Sequence, residues 1–176
     1  ITRDGSSIEL PPSKKARALL AYLIATERAH DRSHLAALLW DERDDSRAAL
    51  RWALSRLRPV IDERVARITT DRDLVGFERG NAEVDLASVR LALREGIDRA
   101  PTPTLEQAAA RFRGELLEGL DLSDCFGFHA WCIAEREAAE ALRAAILSTI
   151  VERHAGDPER ALPFARARLD LDPLAG

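Results

Sequence analysis

Residues 46–61, SRAALRWALSRLRPVI, decide how the first half of this sequence is interpreted. Four apolar residues recur at helical spacing, which predicts an amphipathic helix with one face in a core. They are Leu50, Leu54, Leu57 and Ile61. Ser46 stands before the apolar positions and is the expected N-cap. We expect Pro59 to bend or weaken the last turn, because proline removes a helical hydrogen bond.

A polar stripe follows the same helix beside its apolar face. It consists of Arg47, Arg51, Ser55 and Arg58, and Trp52 and Arg56 flank it. An α-helix fits the major groove of B-DNA, where arginine is the commonest reader of guanine edges. Arginine and serine also bind phosphates, which fixes register without reading sequence. The stripe predicts a recognition helix. A solvated arginine face on an ordinary amphipathic helix is the alternative, and the helix alone does not separate the two.

Two helices and a turn are predicted before this segment. Asp4-Gly5 is a turn signal, which indicates a short hairpin or a turn leading into a strand over residues 3–10. Ser13 is the expected N-cap of a helix over 14–26. Ser33 is the expected N-cap of a second, short helix that reaches Trp40. Residues 41–45, DERDD, contain no apolar residue and indicate an exposed loop.

A change of apolar period follows the arginine-rich segment. Two short β-prone runs surround residues 70–73 and predict a hairpin. Their apolar residues are Val65, Ile68, Val75 and Phe77. The polar residues of the predicted hairpin are expected to reach phosphates or the minor groove of DNA. For each of these residues, the alternative is a hairpin position that makes no such contact. They are Arg64, Arg67, Thr69, Thr70 and Arg72. A short β element, three helices and a hairpin is the order of a winged helix-turn-helix.

The second half predicts only helices with short turns. Gly80-Asn81 marks a boundary, so we expect one domain over 1–80 and a second over 81–176. Val84 to Leu93 suggest the first helix. The second should be capped by Thr104 with Gln107 in a capping box, run to about Leu117 and end at Gly119. Further helices are expected over 129–154 and 159–171. Residues 156–174 resemble one helix of a tetratricopeptide repeat (TPR), and such helices need stacked neighbours to bury their faces.

Composition and charge narrow the class of protein. The chain has a net charge of −4, but residues 1–80 carry 15 Lys and Arg against 13 Asp and Glu, and residues 81–176 carry 11 against 17. A basic element is therefore expected only in the first half. No apolar run approaches the roughly 20 residues of a membrane span. The two cysteines form no disulfide framework, so we expect a reducing cytoplasm. Met is absent, and we expect a piece of a longer protein.

Motifs for catalysis or metal binding are not found. We predict no enzyme activity, no cofactor and no metal, because Gly-rich phosphate loops, G-x-S-x-G and H-E-x-x-H are missing. His30 and His34 have metal-chelating spacing, but a helix boundary between them spoils the geometry. Cys125, His129 and Cys132 lack a fourth ligand for zinc. An aromatic cluster, Phe126, Phe128 and Trp131, is interpreted as part of a core or a plug between domains, with a partner contact as the alternative.

A family resemblance rests on several of these runs together. LPPSKKARALLAYLIAT (10–26), RSHLAALLW (32–40) and SRAALRWALSRLRPVI (46–61) resemble the OmpR-like winged helix of SARP-type transcription regulators. AARFRGELLEGLDLSD (109–124), FHAWCIAEREAAEALRAAIL (128–147) and GDPERALPFARARLDLDPL (156–174) are similar to the bacterial transcriptional activator domain that follows it. The resemblance covers nearly the whole chain. It implies a mainly α protein: a winged helix with a small sheet and a wing hairpin, then an all-α TPR-like domain truncated at its C-terminus.

The resemblance also implies a function. Members of this family are DNA-binding activators that tend to bind direct repeats near promoters and to contact RNA polymerase. It carries the six polar and aromatic residues of 46–61 named above onto the recognition helix. It carries Arg67, Thr69, Thr70 and Arg72 onto the wing. Residues 41–45 fall where the OmpR-like fold has its polymerase-facing loop, and a solvated acidic turn is the alternative. Trp52 is large for a groove-facing position, so packing on the wing or on the neighbouring domain is its alternative.

A second class of function is kept beside the DNA-binding regulator. Here the TPR-like half is a protein–protein interaction module of a larger signalling protein, and the winged helix is a spacer that binds no DNA. The small net charge of residues 1–80 favours this alternative. A third alternative is the N-terminal portion of a larger signalling ATPase or cyclase-like protein, which would change the trigger and not the chemistry of these domains. Oligomeric state is left open, with a homodimer among the expected assemblies.

Overall fold

The computed structural model describes residues 1–40 and 45–171. The protein is mainly helical with small antiparallel sheets, which confirms the predicted class at this level. Two compact units are formed. The first contains residues 1–82 and 117–132, and the second contains residues 83–116 and the described residues from 133 onward. The linear division at residue 80 stays a prediction. In the structure, a later segment of the chain packs with residues of the first unit.

A two-stranded hairpin opens the first unit. Strands β1 (Thr2–Arg3) and β2 (Ser6–Ser7) pair in antiparallel register. The turn between them places Asp4 at φ 51° and Gly5 at φ 79°, the left-handed region that two-residue hairpin turns require. No strand continues through residues 8–10. Helix α1 (Lys14–Thr26) then begins where it is predicted, because the Ser13 hydroxyl accepts the Ala16 N–H at 3.3 Å.

Two of the expected helix caps are wrong by one or two residues. Strand β3 (His30–Asp31) leads directly into helix α2 (Arg32–Leu39), so Ser33 lies within the first turn and does not cap it. Helix α3 spans Ser46–Ile61, and its N-cap is Asp45, whose carboxylate accepts the Ala48 N–H at 2.9 Å. Aspartate and serine cap equally well, so the residue with the non-helical backbone takes the role. Pro59 lies inside α3, which continues to Ile61.

A three-stranded antiparallel sheet combines two strands that follow α3 with β3, which precedes α2. Strands β4 (Ile68–Thr70) and β5 (Leu74–Phe77) form the predicted hairpin, and β3 pairs with the other edge of β5. Val65, expected in the first run, precedes β4 and is exposed. At Gly76 a Cβ atom would stand 3.0 Å from the Thr69 hydroxyl, a tight contact to which the Thr69 side chain would have to adjust.

The first unit has its own hydrophobic core. Its fully buried side chains come from α1, α2, α3 and β5, and Phe128 of the segment 117–132 joins them. The Phe128 ring lies 5.3 Å from that of Trp131, which meets Tyr22 edge-on at 4.8 Å. Of the aromatic cluster identified in the sequence, Phe128 and Trp131 therefore belong to this core. Phe126 is 81% exposed.

The second unit is built from helices. They are α4 (Asp85–Ala92), a 3-10 turn (Ile97–Arg99), α5 (Thr102–Ala109), the part of α6 (Phe126–Arg153) from residue 133 onward, and α7 (Pro158–Leu169). Residues 126–132 of α6 belong to the first unit. Buried side chains of α4, α5 and α6 form a separate core, which includes Leu105, Ile146 and Ile150. No helix in the described part of the chain is long and apolar enough to cross a membrane.

The expected bounds of α5 are wrong at both ends. The helix begins two residues before Thr104, so the predicted capping box with Gln107 is not formed. Pro103 is already in the first turn, where a missing N–H costs nothing and the fixed φ of proline suits a helix. At the other end the helix stops at Ala109 instead of continuing to Leu117. The chain turns there, with the Arg111 N–H on the Ala108 carbonyl and the Phe112 N–H on the Ala109 carbonyl.

Candidate functional site

The outer face of α3 carries the candidate site. All six of its predicted residues are exposed to solvent: Arg47, Arg51, Trp52, Ser55, Arg56 and Arg58. The buried face of the same helix consists of Leu50, Ala53, Leu54, Leu57 and Ile61. Since successive residues of a helix are 100° apart, packing this apolar face in the core points the arginine stripe outward.

The charge of this face is unopposed along the helix. Helix α3 contains four arginines and no Asp or Glu. Within residues 1–40 and 45–171, none of these arginines forms an ion pair with a carboxylate. Elsewhere in the chain arginines do pair, for example Arg111 with Glu83 at 2.5 Å. An outward row of cations on a helix that contains no Asp or Glu attracts polyanions.

Trp52 and Arg56 lie together at the side of the stripe. The guanidinium carbon of Arg56 is 6.0 Å from the centre of the Trp52 ring, which is cation–π geometry. Trp52 is 53% exposed. The ring is held at the surface of α3 by a residue of the same helix, one turn further along. The Ser55 hydroxyl donates to the Trp52 carbonyl at 2.7 Å.

The hairpin residues are placed differently from those of α3. The Arg67 guanidinium donates to the Arg79 carbonyl and, at 2.7 Å, to the Asn81 side chain, so it is used within the protein. Thr69 is half-buried, and Thr70 is exposed with its hydroxyl 2.6 Å from an Arg58 nitrogen. The Arg72 side chain is exposed in the turn between β4 and β5. The structure thus brings Arg58 and Thr70 together and turns Arg67 away from the stripe.

Two residues beside the site were not found by sequence reasoning. One Asp62 carboxylate oxygen accepts the N–H groups of both Arg67 and Ile68, at 2.8 and 2.9 Å. Arg32, at the start of α2, donates its backbone N–H to the Asp73 carbonyl at 2.8 Å. An aspartate that directly follows a predicted helix and precedes a strand is a signal for Asp62, since such side chains often bond nearby backbone N–H groups. No local signal exists for Arg32.

A buried histidine lies in strand β3 of the first unit. His30 is 5% exposed, and its Nε2 is 2.7 Å from the Thr26 hydroxyl, which is 2.7 Å from the Tyr22 carbonyl. The single hydroxyl proton goes to the carbonyl, so the Thr26 oxygen accepts the Nε2–H of His30. Its ring is stacked on that of His34 with centres 5.7 Å apart.

The environment of His30 makes stability depend on pH. Burial lowers the pKa of His30 from 6.5, and the charges of Arg28 and His34 act in the same direction, whereas Asp31 raises it. The unfolded chain therefore binds a proton more readily than the folded one. We expect the contribution of His30 to be complete above pH 6.5 and to be lost as the pH falls below it.

The His30→Gln variant tests this expectation, because glutamine keeps a donor for Thr26 and does not titrate. Urea unfolding at pH 7.5 and 5.5 should show a larger loss of stability for the wild type than for the variant. Equal losses in the two proteins would contradict the assignment to His30.

Other candidate sites were considered for metal binding and partner contact. Cys125 and Cys132 are buried and are not joined in a disulfide, and the Cys125 thiol donates to the Leu39 carbonyl at 3.3 Å. Among the described residues, no group of three or more His, Cys, Asp or Glu side chains is arranged to hold a metal ion. The loop at 41–45, expected to face the polymerase, lies outside the described residues except for Asp45.

No protein-family model matches this chain, and no curated protein matches it.

Proposed function

We propose that this protein is a sequence-specific, double-stranded DNA-binding transcription regulator. In this proposal α2 and α3 form the helix-turn-helix, α3 enters the major groove, and the β4–β5 hairpin is the wing. The observation that carries it is the exposed face of α3, with four arginines, no carboxylate on the helix and no ion pair among the described residues. Arg47 and Arg51 read base edges, and other basic groups of the helix and the hairpin turn hold phosphates.

The further parts of the proposal come from the family resemblance. The protein acts as an activator in the cytoplasm, binds direct repeats near promoters and contacts RNA polymerase. The second unit is then the TPR-like activator domain, in which helices pack side by side as in repeat proteins. The apolar helix faces that form the core of the second unit are compatible with this assignment.

The experiment begins with selection of bound duplexes from random DNA, followed by titration of the enriched site at several salt concentrations. Each phosphate neutralised by a cation contributes a slope of about −0.9 to the plot of log affinity against log salt. Three to five contacts from α3 and the hairpin turn would give a slope of about −3 to −5. A scrambled duplex of equal length is the control. No enriched sequence together with a slope near zero would refute the proposal.

A protein–protein interaction module is the second candidate. It is favoured by the exposed apolar side chains of α7, where Leu162 is 48% and Leu169 is 58% exposed. In that case the first unit would bind neither the selected nor the scrambled duplex at low salt.

A further inference from the structure

The β4–β5 hairpin is anchored in the first core and exposed at its turn. It contains three residue pairs, and β3 adds two more at the other edge of β5. Ile68 and Val75 are buried in the core, whereas residues 70–74 are exposed. Short β-ribbons depend on packing and side-chain contacts, so polar contacts are expected to set the direction in which the exposed turn points from α3.

Four polar residues tie the hairpin to the end of α3 and to the chain beyond β5. Arg58, in the last turn of α3, donates to the Thr70 hydroxyl at 2.6 Å. Asp62, the residue after α3, accepts two backbone N–H groups at the start of β4. Arg67 joins that start to the chain beyond β5 through the Arg79 carbonyl and the Asn81 side chain. We define Arg58, Asp62, Arg67 and Thr70 as the hairpin clamp.

We propose that the hairpin clamp fixes the hairpin against α3 and that Arg58 is a positioning residue within it, not a DNA contact. This inference rests on the proposed function, since what the clamp positions is a DNA-binding hairpin. It divides the arginine stripe into two parts. Arg47 and Arg51 have no hydrogen-bond partner among the described residues and are free for DNA, whereas Arg58 has its donor directed at β4.

The assignment gives Arg58 a chemical role that a phosphate-binding arginine lacks. A hydrogen bond between a guanidinium and a hydroxyl is stronger than one between neutral groups. It joins positions 58 and 70, on two different elements, and it lies at the end of β4 next to the turn that carries Arg72. Loss of this bond frees the turn end of the hairpin while Asp62 and Arg67 still hold its base.

The test uses Thr70→Val, which keeps the shape of the side chain and every arginine of the protein but removes the hydroxyl. We expect Thr70→Val and Arg58→Ala each to weaken binding of the selected duplex about three- to tenfold, in line with the loss of one hydrogen bond. The double variant should be no weaker than Arg58→Ala, and the salt slope of all three should equal that of the wild type. Arg56→Ala, which removes an exposed arginine of the same helix that the proposal places on a phosphate, is the matched control, for which the slope should become less steep by about one.

A second readout does not need DNA. Amide hydrogen exchange over residues 68–77 should be faster in Thr70→Val and Arg58→Ala than in the wild type and unchanged in Arg56→Ala. If Thr70→Val exchanges and binds as the wild type does while Arg58→Ala reduces the slope by one, Arg58 contacts a phosphate and the inference is overturned. If the wild type selects no DNA, the proposed function fails, and the exchange rates alone still decide whether the clamp exists.

Discussion

Replacing Arg47 and Arg51 together by alanine is expected to abolish recognition of the selected DNA site. Each bidentate arginine–guanine pair is worth about 1–3 kcal/mol of discrimination, so Arg51→Ala alone should weaken specific binding by about that amount. Both side chains are exposed one turn apart on the same face of α3, and neither has a protein partner among the described residues. Removal of both side chains is therefore expected to leave the fold intact and to eliminate the groups that contact base edges.

The measurement is a fluorescence anisotropy titration with the selected duplex and with a scrambled duplex of equal length. Affinity for the selected duplex should fall to that for the scrambled one. Arg166→Ala in α7 is the matched control, because Arg166 is also an exposed helical arginine and lies in the other unit. Unchanged affinity of the double variant for the selected duplex would remove α3 from the interface.

Phe128→Ala is expected to have the largest effect on stability. The side chain is fully buried in the core of the first unit, and truncation of a buried phenylalanine costs about 3–5 kcal/mol. Total stabilities of small domains are only about 5–15 kcal/mol, so the variant should unfold at a much lower urea concentration. Phe126→Ala is the matched control, since the same side chain two residues earlier is 81% exposed. It should change stability by no more than about 0.5 kcal/mol.

Tryptophan fluorescence makes the Phe128 experiment specific for one unit. The three tryptophans, at positions 40, 52 and 131, all lie in the first unit. Their fluorescence during urea unfolding therefore follows that unit, while far-ultraviolet circular dichroism follows the helices of both. A fluorescence transition that is the same in Phe128→Ala and wild type would show that the segment 117–132 does not support the first core.

Much of the fold could be predicted because it depends on the spacing of apolar, capping and turn residues that are close together in the sequence. The apolar period of 46–61 predicted both the helix and the face that is buried, and with it the exposure of Arg47 and Arg51. Ser13 and the Asp4-Gly5 turn were found for the same reason, since each acts on residues within four positions. The cap at Ser46 was placed incorrectly because the adjacent Asp45 offers the same chemistry, and pattern alone does not choose between them. The cap at Ser33 was placed incorrectly because α2 begins directly after β3, with Asp31 as its N-cap, which makes no side-chain capping bond.

The hairpin side of the site was less accessible to prediction. Four polar residues lie in or next to strand β4, and the sequence does not distinguish their surroundings: Arg67, Thr69, Thr70 and Arg72. Their different surroundings arise from Arg79, Asn81 and Arg58, which are 12 to 14 residues away. Contacts over such separations depend on how strands pair and where a helix ends, and no local period reports them.

Sequence alone establishes that the chain is mainly helical and that one helix carries a row of arginines and contains no Asp or Glu. These properties follow from residues three and four positions apart on the same helix. The tertiary fold was needed to show that residues 117–132 join the first core and that Arg58 is bonded to Thr70. The reason is that a folded core brings together groups remote in sequence, and their hydrogen bonds and burial exist only once the chain has closed around them.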